Sequence, residues 1–149
     1  MIFKHKLLPE KWNNEILTLA DFEAFCAADG VLVREVPAES AGCYLHMEGV
    51  PVIFLRSNLR GLNKLRVALH ELGHHWLHVP GADNSGKRSY CNRYGHLSKA
   101  EHEAKVIETC GVLPLPIFRT SEPAEIADLY GYPRELIQFR ERVFRYYNF

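Results

Sequence analysis

Leu62-Asn63-Lys64-Leu65-Arg66-Val67-Ala68-Leu69-His70-Glu71-Leu72-Gly73-His74-His75-Trp76-Leu77-His78-Val79 is the stretch whose periodicity decides the fold. At about 100° of rotation per residue, Leu65, Leu69, Leu72 and Trp76 form one narrow stripe, and His70, Glu71, His74 and His78 fall on roughly the opposite side. A helix with a core face and a chemical face is expected. Two imidazoles one turn apart can aim at a single point, so His70 and His74 supply two of the three protein ligands usual for a catalytic zinc ion. Glu71, beside them, is placed to take a proton from a water that the metal has acidified. Gly73 costs about 1 kcal/mol of helix propensity relative to alanine. Its presence points to another element packed closely against the helix there.

The rest of the chain bounds this reading. With 149 residues, 47% hydrophobic content and a formal net charge of zero, a single domain over 1–149 is expected, with its core over about 15–118 and C-terminal helices over about 121–147. The balanced charge gives no electrostatic footprint for nucleic acid. The N-terminus lacks an apolar run of signal-peptide length, and the longest apolar run elsewhere, Val50 to Leu55, is too short to span a membrane. A cytoplasmic protein is expected. The cysteines at 26, 43, 91 and 110 form no Cys-x-x-Cys pair and are read as buried free thiols.

In chain order, Glu10 to Leu17 reads as a short helix, and Thr18 with Asp21 as a capping box for a second one that Asp29-Gly30 stops. Val31 to Val36, Gly42 to Glu48 and Val50 to Arg56 read as strands, the last two joined as a tight antiparallel hairpin at Gly49. A small antiparallel three-stranded sheet packed on the histidine helix follows, and an exposed edge of it along the cleft is a candidate docking strand for an extended peptide. Pro80 to Leu97 is polar and glycine-bearing, and Tyr90, Tyr94 and His96 within it have no role assigned by the sequence.

A third ligand is expected from a second helix, opened by Ser98 with Glu101 as a capping box and running to about Val112. Three carboxylates compete there. Glu103 shares the inward stripe with Val106, Ile107 and Cys110, whereas Glu101 and Glu108 point away from it. A carboxylate on an apolar face is costly unless paired or metal-bound. Glu103 is therefore the favoured ligand, and Glu101 the fallback with a plainer role as a cap. His102 is expected outside the ligand set.

Ala68-Leu69-His70-Glu71-Leu72-Gly73-His74 with Leu77-His78, then Glu101-His102-Glu103-Ala104 some thirty positions on, then Pro114, resembles the ImmA/IrrE metallo-endopeptidases of bacteria and their mobile elements. The resemblance implies a zincin-like α+β domain. It carries the metal ligands onto His70, His74 and Glu103, with Glu71 as catalytic acid/base. It also implies a protein substrate, since family members are linked to cleavage of helix-turn-helix repressors of mobile elements or stress responses. The chain departs from the family where Lys105-Val106-Ile107-Glu108-Thr109 stands in place of Asn or Asp followed by Phe-Ala-Ala. At 105 the side chain that would orient a ligand is replaced by lysine.

The expectation is thus a zinc-dependent endopeptidase acting on a protein, without direct nucleic-acid or membrane binding. The alternative is a metal-binding regulator that recognises a partner without cutting it. The final third reads as support: Ser121 or Glu122 opens a helix that Gly131 closes, and Pro133 starts another, with Leu136, Val143 and Tyr147 on its apolar stripe and Arg134, Arg142 and Arg145 on its outer face.

Overall fold

The structure, a computed structural model, describes residues 8–78, 88–91 and 98–149, with side chains for all of these but 88–91. The expectations for Tyr90, Tyr94 and His96 as side chains lie outside the described residues. The elements are α1 (Leu19–Asp29), β1 (Leu32–Val36), β2 (Gly42–Met47), β3 (Val50–Arg56), α2 (Gly61–His78), β4 (Arg88–Cys91), α3 (Lys99–Val112), α4 (Leu115–Thr120), α5 (Pro123–Tyr130) and α6 (Arg134–Tyr147). The fold is α+β.

α1 begins as the sequence indicates. The Thr18 hydroxyl accepts from the Asp21 amide, the Asp21 carboxylate accepts from the Thr18 amide, and Gly30 ends the helix in the left-handed region. The helix expected over Glu10 to Leu17 is instead a run of turns. Asn13 takes a φ of 61°, which breaks helical continuity, and its side-chain oxygen is used elsewhere, accepting from the Leu115 amide at 3.1 Å. The segment then docks on α3, with the Leu17 amide donating to the Gly111 carbonyl at 2.9 Å.

The sheet is mixed and four-stranded, in the order β1-β3-β2-β4, rather than antiparallel and three-stranded. β2 and β3 form the expected hairpin, Met47 opposite Val50. The two residues between them, Glu48 and Gly49, both have positive φ, as a two-residue hairpin turn matching the strand twist requires. β4 pairs antiparallel with the other side of β2. With both edges of β2 taken, β1 occupies the remaining edge of β3 and runs parallel to it, Leu32 opposite Val52. Of the three strands from which an exposed docking edge is expected, β2 offers none over Cys43 to His46, where β4 pairs with it.

The main core gathers Leu17, Phe22, Tyr44, Ile53, Leu55, Leu69, Leu72, Leu113, Ile126 and Leu136 between the sheet, α1, α2 and the C-terminal helices. A smaller apolar cluster of Val106, Cys110, Phe139 and Val143 joins α3 to α6. α3 is therefore buried on two sides. Against α2 the approach is close: a Cβ on Gly73 would stand 3.1 Å from Ala104 Cα and from Ile107 Cβ, the physical reason for glycine at that position. Cys26 and Cys110 are buried free thiols. Cys43 is not: it is disulfide-bonded, and its cross-strand neighbour in the β2–β4 ladder is Cys91. No described helix is long and apolar enough to cross a membrane.

Candidate metal centre

The chemical face of α2 meets one face of α3. Glu101 and Glu108 are seven residues apart, so about two helical turns bring them within roughly 20° of each other. That shared face lies against His70 and His74, which are one turn apart on α2. His70 Nε2 is 3.0 Å from Glu101 Oε2, and His74 Nε2 is 3.3 Å from Glu101 Oε1. Among the described residues these three side chains form a group able to hold a metal ion, their ligand atoms lying within 4.8 Å of one another.

The carboxylate brought to the histidine pair is thus Glu101, not Glu103. Glu103 is buried, as its place on the apolar stripe requires, but its Oε2 meets His78 Nε2 at 2.9 Å. The inward stripe of α3 faces two neighbours, and the side bearing Glu103 does not lead to the histidine pair. Glu101 also departs from its expected capping role. Its amide is capped by the Ser98 hydroxyl at 3.2 Å, but its carboxylate turns to the histidines.

The outer nitrogens of both imidazoles are also engaged. His74 Nδ1 lies 3.1 Å from His78 Nδ1. If the Nδ1 proton is on His74, His78 accepts it at Nδ1 and donates from Nε2 to Glu103, a single consistent set of tautomers. His70 Nδ1 faces Glu108 Oε2 at 3.4 Å, and the other oxygen of Glu108 accepts from Arg66 Nε at 2.7 Å.

Glu71 is 3% exposed. β2 crosses directly over it because position 42 is glycine: a Cβ there would stand 2.7 Å from Glu71 Oε1 and 2.6 Å from Val67 Cγ1. The Tyr44 main-chain amide donates to the carboxylate, while Glu71 Oε2 is buried with no hydrogen-bond partner among the described residues. Burial pushes this carboxyl up to about 8, with the charges of Glu101 and Glu108 adding and His70 opposing. Burial disfavours charge on His70, but hydrogen bonds to Glu101 and Glu108 and the nearby carboxylates outweigh it and raise the imidazole to about 10. Burial holds His74 below its ordinary value against the pull of Glu101. The Glu101 carboxyl is held far below the carboxylate range by its hydrogen bonds to His70 and His74.

These residues fit a zinc-type ion on two counts. Two imidazole nitrogens and a carboxylate are the donor set of a three-ligand catalytic site, and one ligand atom from each residue lies within 4.8 Å of the others. The unpartnered Glu71 Oε2 is the second count, because a buried carboxylate oxygen without a donor is costly unless a ligand or water completes it. A cleft of about 470 Å³ lined by Ser40, Gly42, Asn63, His70, Glu71 and Glu101 gives access.

No curated protein and no solved structure matches the chain. A family model described as the IrrE N-terminal-like domain, Peptidase_M78, matches residues 26–140, a span that includes both the His70-Glu71-Leu72-Gly73-His74 helix and α3. With α2 and α3 both inside that span, the chain belongs to this metallopeptidase family and has its zincin-like fold.

Proposed function

We propose that the protein is a zinc-dependent endopeptidase in which His70, His74 and Glu101 hold the metal and Glu71 is the catalytic acid/base. The observation that carries this is the convergence of the three ligand atoms beside a buried, unpartnered Glu71 Oε2. When bound, zinc polarises the scissile carbonyl and acidifies water. Glu71 takes the proton of the attacking water at Oε2 and delivers it to the nitrogen of the departing amine as the C–N bond breaks. Gly42 and the Tyr44 amide orient the carboxylate from behind, and burial excludes competing water. The substrate in this reading is a protein of the helix-turn-helix repressor class, cut in the cytoplasm.

The alternative of binding without cleavage rests on Lys105. It lines the same cleft as His70, Glu71 and Glu101, with its ammonium over the Phe139 ring, 4.7 Å from the centroid. The test is metal content of the purified wild type, Glu101→Ala and Glu103→Ala. About one zinc per chain is expected in wild type and in Glu103→Ala, with loss in Glu101→Ala. Retention by Glu101→Ala and loss by Glu103→Ala would overturn the ligand set. Incubation of the zinc-loaded protein with a repressor of the proposed class then separates cleavage from binding alone.

A further inference from the structure

We propose that Glu108, held by Arg66, is the positioning residue for His70, taking the orienting role that the lysine at 105 leaves vacant. The inference rests on the metal-site reading above and concerns the side of His70 that faces away from the ligand group.

An imidazole can give the Nε2 lone pair to a metal only when its proton is on Nδ1, and an acceptor opposite Nδ1 fixes that tautomer and the ring plane. In this chain the acceptor facing His70 Nδ1 is Glu108 Oε2, at 3.4 Å. That separation is at the outer edge of hydrogen-bond range, so the position of the carboxylate must be set by something else. Arg66 sets it. Its Nε donates to Glu108 Oε1 at 2.7 Å, and Arg66 lies one turn before His70 on the same helix. α2 therefore supplies both the ligand and the guanidinium, and α3 supplies the carboxylate between them. Glu108 is buried, where an unpaired carboxylate would be costly. Its two oxygens divide between Arg66 and His70, which explains a buried acid on this face of α3.

Glu108 is not itself a candidate ligand. It approaches the imidazole from Nδ1, whereas Glu101 and His74 gather at Nε2. Lys105, one turn earlier on α3, is turned toward Phe139 and offers no acceptor. His74 has its own outer partner in His78, backed by Glu103. With Glu108 included, both metal-site histidines have an outer nitrogen engaged, His70 by a buried carboxylate and His74 by an imidazole that a buried carboxylate supports.

The experiment measures zinc affinity by chelator competition, the visible spectrum of the cobalt-substituted protein, and the unfolding midpoint without metal. Wild type is compared with Glu108→Ala, Glu108→Gln and Arg66→Ala. Glu108→Ala is expected to weaken zinc binding about 10- to 100-fold and to shift the cobalt ligand-field bands. Glu108→Gln keeps an acceptor of the same length and should restore most of the affinity, and Arg66→Ala should give an intermediate loss. In turnover the loss should fall on kcat rather than KM. Unchanged affinity and spectrum in both Glu108 variants would overturn the proposal while leaving the ligand set intact. A fall in the unfolding midpoint alone would reduce Glu108 to a structural ion pair. No metal binding by wild type would overturn the metal-site reading and this inference with it.

Discussion

At the scale of single residues, Glu71 is distinguished by what it lacks. One oxygen is supported by β2, and the other has no partner among the described residues. Glu71→Gln is expected to keep the metal and to lose about 10²- to 10⁴-fold in cleavage rate; metal analysis and a single-turnover assay of the same preparation check both halves. Gly42 is the matching constraint. Gly42→Ala drives a methyl into Val67 and Glu71, so cleavage should collapse with a stability loss of about 1–3 kcal/mol, measured by denaturant unfolding. The choice between Glu101 and Glu103 belongs to this scale too. Apolar periodicity identifies Glu103 as buried, and it is. Burial alone does not say which neighbour a side chain meets, and Glu103 meets His78. The spacing of Glu101 and Glu108, seven apart on one face, was the readable signal that two carboxylates travel together toward α2.

At the scale of elements, the two site helices must approach closely enough for Glu101 to reach both histidines, and Gly73 permits it. Gly73→Ala adds a good helix former but pushes it into Ala104 and Ile107. The expected net is destabilisation of about 1–3 kcal/mol together with weaker zinc binding, read by unfolding and chelator competition. An increase in stability would show that α3 can give way. Capping is the part of the elements that sequence reports best. Thr18 and Asp21 form the reciprocal box, and Thr18→Ala should cost about 1 kcal/mol. Partial burial works against the Asp21 charge, but hydrogen bonds from Lys11 and Thr18 hold its value below the ordinary 3.8. A depressed folded value means that this contribution is present above pH 3.8 and is lost as pH falls through the folded value. Thermal unfolding of wild type and Asp21→Asn should therefore differ near neutrality and converge in acid. The sheet was less legible, because strand propensity marks the strands but not which edges remain free.

At the scale of the whole molecule, one buried arginine ties together segments far apart in sequence. Arg140 is fully buried. Its Nε donates to the Leu113 carbonyl at 2.7 Å, one terminal nitrogen to the Phe149 main-chain oxygen at 2.7 Å, and the other to Asn13 Oδ1 at 3.0 Å. Its guanidinium also lies 4.9 Å from the Phe118 ring centroid. Arg140→Leu strands buried acceptors at several of these points and should cost about 3 kcal/mol, visible as a lower denaturant midpoint; a change below about 0.5 kcal/mol, the usual range for a surface substitution, would deny it the role of clamp. The residue stands four after Leu136 and three before Val143, on the apolar stripe of α6, so a charge with an obligatory partner was visible in the pattern even though the partners were not. Sequence by itself determined the histidine helix, its chemical face, the capping box of α1, the Ser98 start of α3, the β2–β3 hairpin and the family, because each is written in contacts spanning a few residues or in a fixed local spacing. Tertiary structure alone decided that Glu101 reaches His70 and His74, that Glu108 lies between Arg66 and His70, that β4 covers β2, and that Arg140 joins the chain's distant parts. Those outcomes depend on which faces of separate elements are pressed together, and helical or strand periodicity carries no record of the neighbour on the other side.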